Sequence, residues 1–166
     1  MCKPRKPAPW TSSPSDLWGL TMLVSIPPTG ATMAQQRINK SGNQSWGYGG
    51  QSVQITGWTP DGTNPGTVSG NGLQVAQAGS GVATGSIQIG GGTVPGTVTL
   101  RKNATTASNG TQLGTVSAGP ATGVYTITTG TITLAAGDII TLWYTVGNDM
   151  GKTVTAASTF IDWLPV

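Results

Sequence analysis

Glutamate and histidine are absent from the 166-residue chain, cysteine occurs once, and charged residues make up 8% of it, against about 25% in ordinary globular proteins. Without His, the commonest general base and metal ligand is missing. Without Glu, acid–base work falls to Asp16, Asp61, Asp138, Asp149 and Asp162. Most of these sit in turns or at segment ends, where Asp serves the backbone. A glycosidase needs two facing carboxylates, and Asp138 with Asp162 is the one pairing that invites a spatial check. Cys2 has no partner for a disulfide, and a zinc site needs about four Cys or His ligands. Gly90-Gly91-Gly92 runs into Thr-Val-Pro instead of Lys-Ser/Thr opening a helix, so it is a loop and not a phosphate cradle. Loop Asp and Asn leave calcium open as an alternative, yet no Asp-rich loop stands out. The expectation is a non-enzyme with no cofactor and no metal.

The same shortages bear on fold. Helices in water draw their exposed faces from Glu, Lys, Arg, Gln and Ala, and much of that vocabulary is missing. Thr, Val, Ile and aromatic residues suit a pleated, half-buried surface, and the 26 glycines mark turns between strands. The length allows one domain with a real core and no need of metals or disulfides. A surface of Thr, Ser, Asn and Gly repels like copies weakly, which favours packing in an assembly.

Residues 1–34 read as an extended attachment arm. Its first part, MCKPRKPAPWTSSPSD, is Pro-rich, basic and aperiodic, and buries too little to fold alone. Lys3, Arg5 and Lys6 crowd its start, while the other five basic residues are scattered. A nucleic-acid face would need a Lys/Arg stripe on a folded element, so no nucleic acid is expected. Trp10 is a candidate anchor, since an indole on an arm suits a partner's pocket. Leu17–Ile26, with Trp18, Leu20 and Leu23, is apolar but shorter than the roughly 20 residues of a membrane span. A signal-peptide reading is disfavoured because polar residues and Asp16 separate the basic cluster from this run, and Gly19, Thr21 and Ser25 interrupt it. Ala31–Lys40 fits a short helix or the start of a strand.

Residues 35–166 read as a β-sandwich. Val53/Ile55, Leu73/Val75, Ile87/Ile89, Val98/Leu100, Ile132/Leu134, Ile140/Leu142/Tyr144/Val146 and Val154/Ala156 alternate with polar or small neighbours, the period-two signature of strands with one dry face. Turn signals fall between them at Pro60-Asp61-Gly62, Asn64-Pro65-Gly66, Asn71-Gly72, Asn109-Gly110 and Ala136-Gly137-Asp138. Many short strands at this spacing imply a sandwich or jelly roll. The runs do not repeat at a fixed period, which disfavours a solenoid or propeller. Six Trp against one Phe suits interfaces or sugar platforms. Trp58, Trp143 and Phe160 are expected in the core, whereas Trp46 and Tyr48, flanked by Gly and Gln, are candidates for an exposed loop together with Asp61 and Asn64.

Two segments carry a family resemblance. Leu134-Ala-Ala-Gly137-Asp138-Ile139-Ile140-Thr-Leu142 and Ser158-Thr159-Phe160-Ile161-Asp162-Trp163-Leu164 resemble the closing strands of the complement-component-q/tumour-necrosis-factor jelly-roll superfamily, over about residues 51–166. The resemblance implies an all-β jelly-roll sandwich of ten strands that forms a homotrimer, with Tyr144, Phe160 and Trp163 as candidate trimer-interface residues, and binding through loops instead of catalysis. A Gly/Thr-rich domain behind a short arm is similar in style to small minor tail proteins and capsid decoration proteins of tailed phages. On that reading the chain is a virion component, extracellular when assembled. Lys3, Arg5, Lys6, Trp10, Trp18, Leu20 and Leu23 would fasten it to other virion proteins, and the loop residues would meet a host surface saccharide. The alternative is a secreted carbohydrate-binding module, and a hydrolase fragment is the weakest reading.

Overall fold

The computed structural model describes residues 33–46, 50–90, 95–147 and 152–166, with the side chain of Trp46 left out. These lie within one compact unit, Thr32–Val166, separate from the unit Met1–Ala31. The arm residues named above, and Tyr48, lie outside the described residues.

Every regular element among the described residues is a strand: β1 (Gln36–Lys40), β2 (Gln44–Trp46), β3 (Ser52–Gln54), β4 (Trp58–Pro60), β5 (Thr67–Ser69), β6 (Gly72–Gln74), β7 (Gly79–Gly90), β8 (Gly96–Lys102), β9 (Thr111–Ala118), β10 (Gly123–Thr128), β11 (Ile132–Leu134), β12 (Ile139–Val146) and β13 (Lys152–Pro165). Two sheets form. The first runs β10-β7-β13-β1-β4, with β11 on β7 and β2 on β13. The second runs β5-β6-β12-β8-β9, with β3 on β12. All the strand pairs are antiparallel.

From β6 onward the chain crosses repeatedly between the sheets: β7 in the first, β8 and β9 in the second, β10 and β11 in the first, β12 in the second, β13 in the first. The period-two pattern makes each crossing worthwhile, because every strand brings a dry face that only the opposite sheet can cover. The result is a jelly-roll sandwich. Its core joins Ile38, Ala83, Ile87, Ile89, Ile161 and Trp163 of the first sheet to Val98, Leu100, Ile140, Leu142 and Tyr144 of the second.

Ala31–Lys40 resolves as a strand over its second half, since β1 pairs with β13 and β4. The sandwich therefore begins upstream of residue 51, where the family resemblance starts. Strand ends provide the reason. β1 and β2 are short and have Arg, Asn, Lys, Gln and Ser in place of a long apolar alternation, so their membership rests on pairing, β1 with β13 and β4 and β2 with β13.

The β5–β6 turn is also placed one residue from its sequence expectation. Ser69 pairs with Gly72, so the two central residues are Gly70 and Asn71, with φ of 53° and 55°. That is the left-handed pair a tight hairpin demands. Gly72 already belongs to the strand.

Candidate interaction face

Backbone alternation sorts the first sheet's side chains. Ile38 and Lys40 turn inward, so Arg37 and Asn39 turn outward on β1; Ile161 and Trp163 turn inward, so Phe160, Asp162 and Leu164 turn outward on β13. By the same rule β7 presents Val82, Thr84, Ser86 and Gln88, and β10 presents Val124, Thr126 and Thr128. Register aligns these residues in rows. Arg37, Asp162, Thr84 and Thr128 form one, and Asn39, Phe160, Ser86 and Thr126 the next. Hydroxyls pair across strands, Ser86 with Thr126 at 3.1 Å and Ser80 with Thr133 at 3.1 Å.

A polar network fills the β1 side of this face. The Arg37 guanidinium lies over the Phe160 ring, 3.7 Å from its centroid, and Arg37 Nε donates to Asn39 Oδ1 at 3.1 Å. Asn39 Nδ2 donates to Asp61 Oδ2 at 2.7 Å. Asp61 Oδ1 accepts the backbone N–H groups of Thr63 and Asn64, both at 2.8 Å. The turn is tied back to β1, for Arg37 N donates to the Asn64 carbonyl at 2.7 Å and the Arg37 carbonyl accepts from Gly66 N at 2.9 Å. The N–H of Asn64, the Asn39 amide and the N–H of Thr63 hold the Asp61 carboxyl below the usual carboxylate range, and Arg37 adds to the effect. Asp162 is held by Gln35, whose Nε2 reaches both carboxylate oxygens at 2.8 and 3.0 Å.

The second sheet differs. Thr141 and Trp143 lie between the core residues Ile140, Leu142 and Tyr144 of β12, so they share its outward face. Trp143 Nε1 donates to Thr141 Oγ1 at 3.0 Å, and Trp143 is only 5% exposed. Trp143 is thus buried as expected, but away from the core. In the turn leading into β12 Asp138 accepts from Asn103 Nδ2 at 2.7 Å and from Ala135 N at 2.9 Å, with Lys102 Nζ at 3.5 Å. Burial raises this carboxyl's pKa, and the Ala135 N–H, the Asn103 amide and the Lys102 charge together more than reverse that, leaving it lowered.

These placements correct several sequence expectations. Tyr144 and Trp163 are 0% and 1% exposed within a single copy, so neither is on a surface that a neighbour can touch. Aromatic size suggested an interface, but both fall on inward positions of their strands. Phe160 leaves the core expected for it and lies on the outward face beneath Arg37, a position open to the interface also expected of it. Trp58 is buried, its Nε1 donating to the Ile55 and Asn71 carbonyls at 2.9 and 3.0 Å. Asp61 and Asn64 build their own turn, and of the loop aromatics only the Trp46 backbone is described, paired with Lys152. Asp138 lies in the turn between β11 and β12 and Asp162 on β13, each with its own partners, and among the described residues no group of His, Cys, Asp and Glu is suited to a metal. Arg37 was missed. Its signal was the strand itself, for once Ile38 is inward its neighbours must face out.

No family model and no curated protein matches the sequence. Solved structures do match. The chain is similar to Eiger TNF from S. frugiperda, with a TM-score of 0.59 at 13% identity, over 80% of this chain and 92% of that one. It is similar to murine APRIL in two crystals, at pH 8.0 with a TM-score of 0.59 and at pH 8.5 with 0.57, each at 14% identity over 80% of this chain and 98% of that one. Identities this low speak to architecture alone, and the architecture is a TNF-like jelly roll.

Proposed function

We propose that this chain is a non-catalytic assembly module that joins copies of itself, as a homotrimer, through the outward face of its first sheet. The supporting observation is the contrast between the two outward faces. The first sheet's outward face leaves Val124 51% exposed and Leu164 46% exposed among Thr and Ser hydroxyls, with Arg37, Asp162 and the Asp61 carboxylate beside Asn39 as charged groups. Apolar side chains within a polar, weakly charged surface fit an interface between like chains. The centre of the second sheet, around Trp143, is closed. The jelly-roll resemblance noted in the sequence favours three copies around one axis.

The setting we propose is the particle of a tailed phage, in its tail or on its capsid, with residues 1–34 as the attachment segment. Support comes from the Pro-rich basic start, the low charge and the Gly/Thr-rich strands. On this reading the protein is extracellular when the particle is assembled. Among the described residues Trp58, Trp143, Tyr144 and Trp163 are buried, so none of these four supplies the exposed aromatic platform of a sugar-binding module. Deletion of residues 1–34 tests the attachment. The truncated chain should keep its oligomeric mass and fail to co-purify with particles that retain the full chain. Equal retention of both chains would overturn the attachment role.

A further inference from the structure

Arg37 and Asp162 are directly opposed across the β1–β13 pair, yet they make no ion pair. Each is drawn aside by neutral neighbours on the same face. Phe160 supports the guanidinium plane and Asn39 takes its Nε–H, while Gln35 takes the carboxylate. Among the described residues the terminal nitrogens of Arg37 donate to no acceptor, and those N–H groups form the fork that grips a carboxylate with two parallel bonds. Asp162 accepts from one amide nitrogen and has lone pairs to spare. Opposite charges on adjacent residues of one face, both held in place and neither neutralising the other, are complementary to the same pair on another copy.

We propose that Arg37 and Asp162 form the polar contact of the first-sheet interface, the guanidinium of one copy taking the Asp162 carboxylate of the next. This rests on the self-association reading above and assigns the residues that set its register. Val124 and Leu164 supply apolar area, which is non-directional. The charged pair supplies orientation, because a misaligned copy would bury an unpaired charge.

The test compares the wild-type chain with Arg37→Lys, Arg37→Gln and Asp162→Asn by sedimentation at a series of concentrations, with circular dichroism confirming that each is folded. Arg37→Lys keeps a charge over Phe160 and loses the fork, so it serves where Arg37→Gln fails to fold. The expected result is a dissociation constant raised about tenfold or more for each variant, with less dependence on salt than in the wild type. Folded variants that associate as the wild type does would overturn the assignment and leave self-association standing. A wild-type chain that stays monomeric at every concentration would overturn self-association itself.

Discussion

Gly85 of the first sheet faces Leu100 and Leu142 of the second so closely that a β-carbon on it would lie 2.7 Å from Leu100 Cδ1 and 2.9 Å from Leu142 Cδ1. The missing side chain is therefore a packing element: two leucines occupy the space it would have filled. Gly85→Ala should destabilise the fold by about 1–3 kcal/mol, the range for overfilling a packed core. Chemical denaturation reads the effect, and a variant as stable as the wild type would mean the sheets separate easily at this point.

Asp61 makes a prediction for acid. Its folded pKa lies below the ordinary carboxylate value, so the folded state binds a proton there less readily than the unfolded chain. Its stabilising contribution is complete above the unfolded pKa and is lost as pH falls through the folded one. Asp61→Asn should remove that component, giving a flatter stability profile below about pH 4. Thermal unfolding between pH 2 and 6 checks it. Parallel profiles for the two proteins would contradict the turn's role in clamping β1.

Lys40 predicts the opposite end of the scale. It points inward from β1, is buried, and donates to the Thr56 carbonyl at 2.7 Å. Burial lowers its pKa below the usual lysine value. The unfolded chain thus holds the proton more tightly, and stability should rise with pH between the folded pKa and about 10.4. Lys40→Met should lack that rise, which unfolding measured from pH 7 to 10.5 will show. A rise of the same size in both proteins would place its origin elsewhere.

Trp163 and Trp143 are predicted to behave differently despite similar burial. Trp163 belongs to the core shared by both sheets, whereas Trp143 lies outside it. Trp163→Ala should cost about 3–5 kcal/mol, as removal of a core aromatic does. Trp143→Phe, which keeps most of the apolar body and loses the bond to Thr141, should cost less than about 1.5 kcal/mol. Denaturation midpoints decide, and a reversal of the order would mean that the outward side of β12 holds the fold together.

The strand pattern was readable because period two is a local property. Ile87/Ile89, Val98/Leu100 and Ile140/Leu142 each declare a dry face within three residues, and the structure buries all six. The absence of Glu and the scarcity of other helix-favouring charged residues carried the all-β reading without any long-range information. What local pattern does not reveal is which face a lone aromatic takes. Trp143 and Tyr144 are neighbours in sequence and point to opposite sides of one strand, and size alone ranked both as interface or core candidates. Phe160 was misjudged for a related reason, since a bulge between Thr155 and Phe160 shifts the register of β13 against β7. That bulge includes Ser158 at a φ of 55°, and no turn-forming Gly or Pro in the segment announces it. The Arg37 network escaped notice because Gln35, Arg37 and Asn39 are distant in sequence from Asp61 and Asp162 and meet them only once β1 sits between β4 and β13.

Native mass spectrometry of the full chain tests the central claim most directly. A module built to join its own kind through the first sheet should give a dominant ion series at three times the 16.8 kDa chain mass, dissociating to single chains on activation. A folded protein that flies as a single chain at micromolar concentration would contradict it.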